Sequence, residues 1–153
     1  MSDKLIAYFS ASGTTRAMAK ELADLSGADI YEIEPAGKYS SKDLDWTDNK
    51  SRSSLEMKDP SSRPEIVAKA LDASQYKTIY LGFPIWWYTA PTIVKTFLDS
   101  YDFYGARIIL FATSGGSGLG KSALDLQPCA PEAEFITGRI VRSKADLKEL
   151  LKL

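Results

Sequence analysis

A segment rich in hydroxyl side chains, close to the N-terminus, has the composition of a phosphate-binding loop. It reads Ser10-Ala11-Ser12-Gly13-Thr14-Thr15 and lies between a short apolar run and an amphipathic helical pattern. The first turn of a helix presents free backbone N–H groups and the positive end of the helix dipole. Together with hydroxyl groups these can hold an anion. The alternative is an ordinary helix cap, which needs one hydroxyl, whereas four of these six residues carry one.

Aromatic side chains dominate a second segment. Pro84-Ile85-Trp86-Trp87-Tyr88 directly follows an apolar run that is typical of a buried strand. Large aromatic side chains in a loop are suited to stacking against a planar ring and excluding water from it. The same side chains could instead pack in the core or form an oligomer interface.

Glycine dominates a third segment, Thr113-Ser114-Gly115-Gly116-Ser117-Gly118. Glycine allows the backbone to approach a ligand closely, although a flexible turn before a helix would have a similar composition. Residues 115–122 also fit the pattern G-x-x-x-x-G-K-S of nucleotide hydrolases. We do not adopt that interpretation, because no later apolar strand ends in an acid that could bind Mg²⁺.

The overall composition narrows the possible chemistry. The 153 residues include no histidine and one cysteine, Cys129, which excludes a disulfide framework, a cysteine-rich metal site and the usual general base. Asp43, Asp45 and Asp48 lack the glycine and the terminal glutamate of a calcium-binding loop, so we predict no metal site. Any chemistry must come from carboxylates, hydroxyls, backbone groups or a bound cofactor.

Charge and hydropathy indicate the class of protein and its partners. The net charge of −1 gives no field that favours nucleic acid or an anionic membrane. No apolar run approaches the roughly 18–20 residues of a membrane span, and the N-terminus shows no signal-peptide pattern. We therefore expect a cytoplasmic protein with neither nucleic acid nor a membrane as partner. The length fits a single domain spanning residues 1–153.

Apolar runs that alternate with helical patterns must position the three segments. Strands are predicted at residues 5–9, 30–33, 79–83, 108–112 and 135–141. Helices are predicted at residues 14–25, 91–101, about 118–126 and after a cap at Ser143. This alternation predicts an α/β fold with a parallel sheet and helices on both faces. The three segments follow the first, third and fourth strands, so they should meet at the edge where ligands bind.

The connection between the second and third strands is less regular. Residues 35–63 are polar and predict a long loop, which is often functional in a compact domain. Ser62 and Glu65 have capping-box spacing, which predicts that a helix follows. Its apolar face would consist of Ile66, Val67, Ala70 and Leu71.

The three segments together resemble a known family. Residues 10–15 resemble the flavodoxin phosphate loop, [S/T]-x-[S/T]-G-x-T, and Pro84-Ile85-Trp86-Trp87 resembles the flavin-ring loop of a bacterial flavodoxin-like subfamily. Residues 111–118 are similar to the second ring loop of that subfamily. Residues 39–64, with Leu44-Asp45-Trp46 and Ser51-Arg52-Ser53, extend the resemblance over nearly the whole chain.

The resemblance implies a flavodoxin-like three-layer sandwich with a five-stranded parallel sheet, strand order 2-1-3-4-5, and noncovalent FMN. It assigns phosphate binding to the first segment, at Ser10, Ser12, Gly13, Thr14 and Thr15. It assigns contact with the flavin ring to the other two segments, at Pro84, Ile85, Trp86, Trp87, Ser114, Gly115 and Gly116. The chain lacks the insertion of long-chain flavodoxins and is similar to the short-chain type.

Three functions are compatible with that resemblance. The first is electron transfer to a redox partner protein, although the near-neutral charge departs from the acidic electron-shuttling flavodoxins. The second is an NAD(P)H-dependent reductase of quinones or nitro compounds, as a monomer or a homodimer. In that case residues 35–63 could form a lid with Tyr39 or Trp46 over the flavin, or else a solvated loop with Trp46 buried. A flavin-free interaction domain is the third, and the intact loops argue against it.

Overall fold

Five parallel strands form the middle layer of the computed structural model, which describes residues 3–114, 116 and 118–153. The strands are β1 (Lys4–Tyr8), β2 (Asp29–Glu32), β3 (Thr78–Pro84), β4 (Arg107–Thr113) and β5 (Glu134–Ile140). Their order in the sheet is β2-β1-β3-β4-β5. This confirms the α/β class, the parallel sheet and the strand order 2-1-3-4-5.

Helices cover both faces of the sheet. They are α1 (Thr14–Ser26), α2 (Arg52–Lys58), α3 (Thr92–Ser100), α4 (Ser122–Leu126) and α5 (Lys144–Leu150), with short 3₁₀ turns at Ala73–Gln75 and Gln127–Cys129. Among the described residues, no helix combines the length and the apolar character needed to cross a bilayer.

Two apolar clusters, one on each face of the sheet, form the core. In one of them Ile93 and Phe97 of α3 pack against alternate residues of β3 and β4. In the other, Leu22 of α1 and Leu147 of α5 pack on the residues between them. Side chains alternate between the two faces of a strand, so a strand buried on both faces is apolar throughout. Three layers are therefore present, as predicted.

The chain between β2 and β3 differs from the prediction in two ways. The prediction of a helix after Ser62 and Glu65 is wrong, because residues 62–72 contain no helix. Ile66 forms an antiparallel bridge with Pro35, and the Val67 N–H donates to the Glu34 carbonyl at 2.8 Å. Main-chain groups that follow β2 thus form hydrogen bonds with this segment, so it does not need a helix to satisfy its backbone polar groups. Ile66 still packs on the core.

Residues 35–63 are also not a loop throughout, since they contain α2. Ser51 is its N-cap, and the Ser51 Oγ accepts a hydrogen bond from the Ser54 N–H. The helix is only seven residues long and has a polar sequence, so it carries little of the apolar periodicity by which helices are recognised.

Candidate functional site

The loop between β1 and α1 is held in shape by one of its own hydroxyls. The Ser10 Oγ accepts hydrogen bonds from the backbone N–H of Gly13 at 3.1 Å and of Arg16 at 3.2 Å. Gly13 has φ +98°, a left-handed conformation that glycine adopts without strain, and it is the N-cap of α1. Ser10 therefore shapes the loop, and only its own O–H remains to donate to a ligand.

Backbone donors in this loop remain available. Among the described residues, the N–H groups of Ser12, Thr14 and Thr15 donate to no protein acceptor. The Ser12 and Thr14 hydroxyls are exposed and lie 3.4 Å apart. Donors of this kind at the positive end of α1 form an anion-binding arrangement.

The Thr15 side chain is not exposed to solvent as those of Ser12 and Thr14 are. It is buried, and the Thr15 Oγ1 lies 2.8 Å from the Thr113 Oγ1 at the end of β4. Thr15 can therefore contribute its backbone N–H to an anion while its hydroxyl fixes α1 to the third loop.

The aromatic segment forms a tight two-residue turn. The Trp86 N–H donates to the Thr89 carbonyl at 2.9 Å, and the Thr89 N–H donates back to the Trp86 carbonyl at 3.1 Å. The two central residues, Trp87 and Tyr88, have φ angles of +49° and +66°. Positive φ at both centres defines a type I′ turn, in which Asn and Gly are the usual residues. Two large aromatics are held there at a conformational cost, which is a common feature of functional sites.

Residues that follow the glycine-rich segment in the chain pack against this turn. Gly120 has φ +56°, and a Cβ there would lie 2.1 Å from the Tyr88 carbonyl oxygen. The Thr89 Oγ1 donates to the Asp125 Oδ2 of α4 at 2.6 Å. The strained turn is thus braced by close packing and by a hydrogen bond to a carboxylate.

Trp86 and Trp87 have different surroundings. Trp86 is half-buried and forms edge-to-face contacts with Phe9 and Tyr39, with ring centroids 5.7 and 5.6 Å away. Trp87 is 44% exposed. Trp86 is therefore held in place by aromatic contacts, whereas Trp87 is more accessible to solvent.

Tyr39 connects Trp86 to α2. The Tyr39 O–H donates to the Glu56 Oε1 at 2.5 Å, and the Arg52 guanidinium lies 3.7 Å from the centre of the Tyr39 ring. Arg52 also donates to the Glu56 Oε2 at 3.0 Å. Burial, followed by the hydrogen bond to Glu56, raises the pKa of Tyr39 well above its ordinary value. Arg52 and Glu56 were not predicted as site residues, although their i,i+4 spacing was a possible signal.

Two neighbouring clefts open at this edge of the sheet. The aromatic cleft has a volume of about 580 Å³ and is lined by Leu44, Trp46, Ser53, Ile85, Trp86, Trp87, Tyr88, Ser114 and Gly116. The hydroxyl cleft has a volume of about 470 Å³ and is lined by Ser10, Ala11, Ser12, Gly13, Arg16, Glu32, Glu34, Pro35, Lys38 and Tyr39. Both volumes are in the range of small-molecule sites.

The predicted residues are distributed over the two clefts. Three of the predicted phosphate-binding residues, Ser10, Ser12 and Gly13, line the hydroxyl cleft. Five of the predicted ring-contact residues line the aromatic cleft: Ile85, Trp86, Trp87, Ser114 and Gly116. Pro84 ends β3, Thr14 is exposed and Thr15 is buried, and none of these three lines either cleft. Gly115 lies outside the described residues. Trp46 is 74% exposed, which contradicts the expectation that it would be buried in a solvated loop.

Charges in the hydroxyl cleft are mostly paired. The Arg16 guanidinium lies 2.5 Å from the Glu32 carboxylate, and that hydrogen bond raises the pKa of Arg16. The Lys69 ammonium lies 3.3 Å from the Glu34 carboxylate and forms a second ion pair. An anion at this loop would therefore be held mainly by neutral donors. Among residues 3–114, 116 and 118–153, no cluster of three or more His, Cys, Asp or Glu side chains could hold a metal.

The comparison with known families identifies the fold and its relatives. A family model for flavodoxins matches residues 3–152. This chain belongs to the flavodoxin family. No curated protein gives a significant match. The chain is 43% identical to a candidate flavoprotein of Bacteroides eggerthii, with a TM-score of 0.90, covering 97% of this chain and 93% of that one.

Two other solved structures extend this comparison. A candidate flavoprotein of Bacteroides uniformis is 45% identical, with a TM-score of 0.92, covering 98% of this chain and 97% of that one. A flavoprotein of Lactobacillus acidophilus, solved in complex with FMN, is 22% identical, with a TM-score of 0.72 and 97% of each chain covered. The last likeness shows the flavodoxin fold alone. The edge that carries the two clefts is thus the carboxyl edge of a flavodoxin sheet, where α/β folds bind ligands.

Proposed function

We propose that this protein is a single-domain flavoprotein that binds FMN noncovalently and transfers electrons through it. The observation that carries the proposal is the juxtaposition of a loop of free N–H donors with an aromatic cleft. The Thr15–Thr113 contact fixes the two relative to each other. A ligand that contains both a phosphate and a planar ring needs an anion-binding loop and an aromatic cleft next to each other.

The phosphate end of FMN fits the first loop. The N–H groups of Ser12, Thr14 and Thr15 and the hydroxyls of Ser12 and Thr14 supply the donors that a phosphate accepts. Gly13 provides the close backbone approach, and Ser10 keeps the N–H of Arg16 turned into the loop. The Lactobacillus acidophilus flavoprotein, which has the same fold and was solved in complex with FMN, supports the choice of FMN as the ligand.

The ring end of FMN fits the aromatic cleft. Ile85, Trp86 and Trp87 supply apolar surface, and Ser114 and Gly116 also line the cleft. The Ile85 N–H donates to the Thr113 carbonyl at 3.0 Å, and the Trp86 N–H is used within the turn. The N–H groups of Trp87 and Tyr88 have no acceptor among the described residues, so this loop retains backbone donors for the ring edge.

FMN, when bound, supplies the electron chemistry, and the protein supplies binding, orientation and electrostatics. The rigid contacts of Trp86 with Phe9 and Tyr39 would orient the ring and exclude water from one side. We also infer that the apolar surroundings disfavour additional negative charge on the reduced ring, which lowers its reduction potential.

A reductase of quinones or nitro compounds is the second candidate. The observation that favours it is the exposure of Trp46 and Trp87, which line the aromatic cleft. In a reductase, a hydride donor and then an electron acceptor must each reach the flavin ring, so the cleft has to be accessible from solvent. Rapid oxidation of NAD(P)H with a quinone would identify a reductase. The absence of turnover, together with reduction by a partner protein, would identify a carrier.

Titration with FMN tests the first proposal directly. Protein freed of flavin should quench the fluorescence of FMN at 1:1 stoichiometry, with a Kd of ~1 μM or lower. Riboflavin, which lacks the phosphate, is the matched control and should bind at least ~10-fold more weakly if the first loop holds the phosphate. If FMN gives neither quenching nor heat of binding, the proposal is wrong. Size measurements with and without FMN would establish whether a monomer or a homodimer binds it.

A further inference from the structure

A small cleft adjoins the aromatic cleft on its outer side. It has a volume of about 160 Å³ and is lined by Trp46, Asn49, Ser54, Met57, Lys58 and Trp87. We call it the vestibule. Trp46 and Trp87 line both clefts, so a molecule in the vestibule would lie directly beside whatever occupies the aromatic cleft.

We propose that the vestibule binds a planar aromatic ring carrying a carbonyl or carboxylate oxygen, and that this is the docking site for a small-molecule redox partner. The proposal rests on the proposed function, because a ligand here matters for electron transfer only if the flavin ring lies in the aromatic cleft. It goes further by assigning the site and the chemical class of the ligand.

The walls of the vestibule favour a flat apolar body. Trp46 is 74% exposed and Trp87 is 44% exposed, and both residues line this cleft, so two large aromatic residues are accessible to solvent at one place. Met57 adds a polarisable thioether, which packs well against aromatic rings. A cavity of about 150 Å³ accepts one benzene ring, so this cleft has room for one ring with more of the ligand projecting outwards.

Two polar groups explain why the ligand should carry an oxygen. The Lys58 ammonium donates to the Asn49 carbonyl at 2.8 Å, and its two other N–H groups remain available to an acceptor. The Asn49 side-chain amide makes no hydrogen bond within the described part of the chain, whereas the Ser54 hydroxyl already donates to the Asp48 carbonyl. Lys58 and Asn49 are thus the donors that an oxygen on the ring would meet.

The backbone is arranged to keep this site in place. Trp87 is held at φ +49° in the braced turn described above, and it is 44% exposed there. On the other side, α2 is capped by Ser51 and linked to the core by the Glu56–Tyr39 hydrogen bond. Strain of this kind is retained where the surrounding structure enforces it, and here it places an indole against a cleft.

Ligand binding to the FMN-loaded protein tests the proposal. Coumarin carries the oxygen as a neutral carbonyl and 2-naphthoate carries it as an anion, while naphthalene has the ring and no oxygen. Binding would be followed by NMR through the indole N–H signal of Trp46, with FMN affinity measured in parallel. We expect coumarin or 2-naphthoate to bind at least ~5-fold more tightly than naphthalene. Whichever of the two binds more tightly identifies the oxygen chemistry.

Two substitutions with matched controls complete the test. Trp46→Leu should weaken binding by ~5–10-fold, whereas Tyr104→Leu, equally exposed at 74% but remote from the vestibule, should not. Lys58→Met should remove the preference over naphthalene and leave FMN affinity unchanged, since Lys58 does not line the aromatic cleft. Lys148→Met on α5 is its control.

The outcomes separate this proposal from the proposed function. Normal FMN binding with ligand affinities that are equal in the wild type and in the Trp46 and Lys58 variants would overturn the vestibule alone. Equal affinity for naphthalene and for both oxygen-bearing ligands would overturn it too. A failure of FMN itself to bind would overturn the proposed function, and the docking role with it.

Discussion

The hydroxyl oxygens of Thr15 and Thr113 lie 2.8 Å apart in a buried contact between residues that are 98 positions apart in the chain. Thr15 belongs to the first turn of α1, and Thr113 ends β4, next to the glycine-rich loop. This hydrogen bond therefore fixes the donors of the first loop relative to the aromatic cleft.

Thr113→Val should destabilise the fold by about 1–3 kcal/mol, because it leaves the buried Thr15 hydroxyl without a partner. The double substitution of Thr15 and Thr113 by valine should cost less than the sum of the two single changes, since neither hydroxyl is then left buried alone. Urea unfolding measures both. Thr137→Val, at an exposed position of β5, is the control and should change stability by less than about 0.5 kcal/mol. If the loss of stability in the double variant equals the sum of the losses in the two single variants, a direct hydrogen bond between Thr15 and Thr113 is contradicted.

Trp87→Gly should raise the free energy of unfolding by about 1 kcal/mol, because glycine adopts φ +49° without strain. The same change should weaken FMN binding by ~10-fold, since it removes a ring from the aromatic cleft. Thermal unfolding and fluorescence titration separate the two effects. Tyr104→Gly, an exposed aromatic without a positive φ, should gain no stability. A variant with weaker FMN binding and no gain in stability would show that the turn is not strained.

Gly120→Ala should loosen the aromatic turn, because its methyl group would overlap the Tyr88 carbonyl oxygen at 2.1 Å. We expect a loss of about 2 kcal/mol or more in stability, together with weaker FMN binding. Gly105→Ala is a matched control, with φ +74° and no atom within 4 Å of the added carbon. It should show only the cost of the backbone conformation. Equal losses in both variants would mean that the contact with Tyr88 is unimportant.

Tyr39 should make stability fall at alkaline pH. Its pKa is raised above the ordinary value of 10.0 by burial and by the hydrogen bond to Glu56. Above that pH the unfolded chain has lost the proton while the folded chain keeps it, so the unfolded state gains relative stability as the pH rises. Tyr39 contributes at most about 1.4 kcal/mol per pH unit to this slope. Tyr39→Phe should make the slope shallower by that contribution, while the part due to the raised pKa values of Tyr8, Tyr31, Tyr76 and Tyr80 remains.

Unfolding measured from about pH 9 to pH 11 in the wild type and in Tyr39→Phe provides the check. Tyr104→Phe, at an exposed position, should retain the wild-type slope. Equal slopes in all three proteins would show that Tyr39 ionises as readily in the folded state as in the unfolded chain.

The sequence alone determined the strands and the edge at which the three loops meet, whereas the sheet order was implied by the resemblance to flavodoxins. Continuous apolar runs such as residues 79–83 identify strands buried on both faces. The Ser143 cap of α5 was likewise predicted, and its Oγ accepts from the Asp146 N–H. These features depend on residues close together in the chain or on general rules for parallel sheets. That the candidate site lies at this edge follows from them.

The tertiary structure decided what each residue does there. Ile66 is extended and not helical because Pro35 and Glu34, some thirty positions earlier, supply the main-chain partners. The commitment of the Thr15 hydroxyl to Thr113, the burial of Tyr39 against Glu56 and the exposure of Trp46 likewise depend on contacts between distant segments. Local sequence carries the propensity of each segment, but which distant groups satisfy its hydrogen bonds and cover its apolar surface is settled only when the chain has folded.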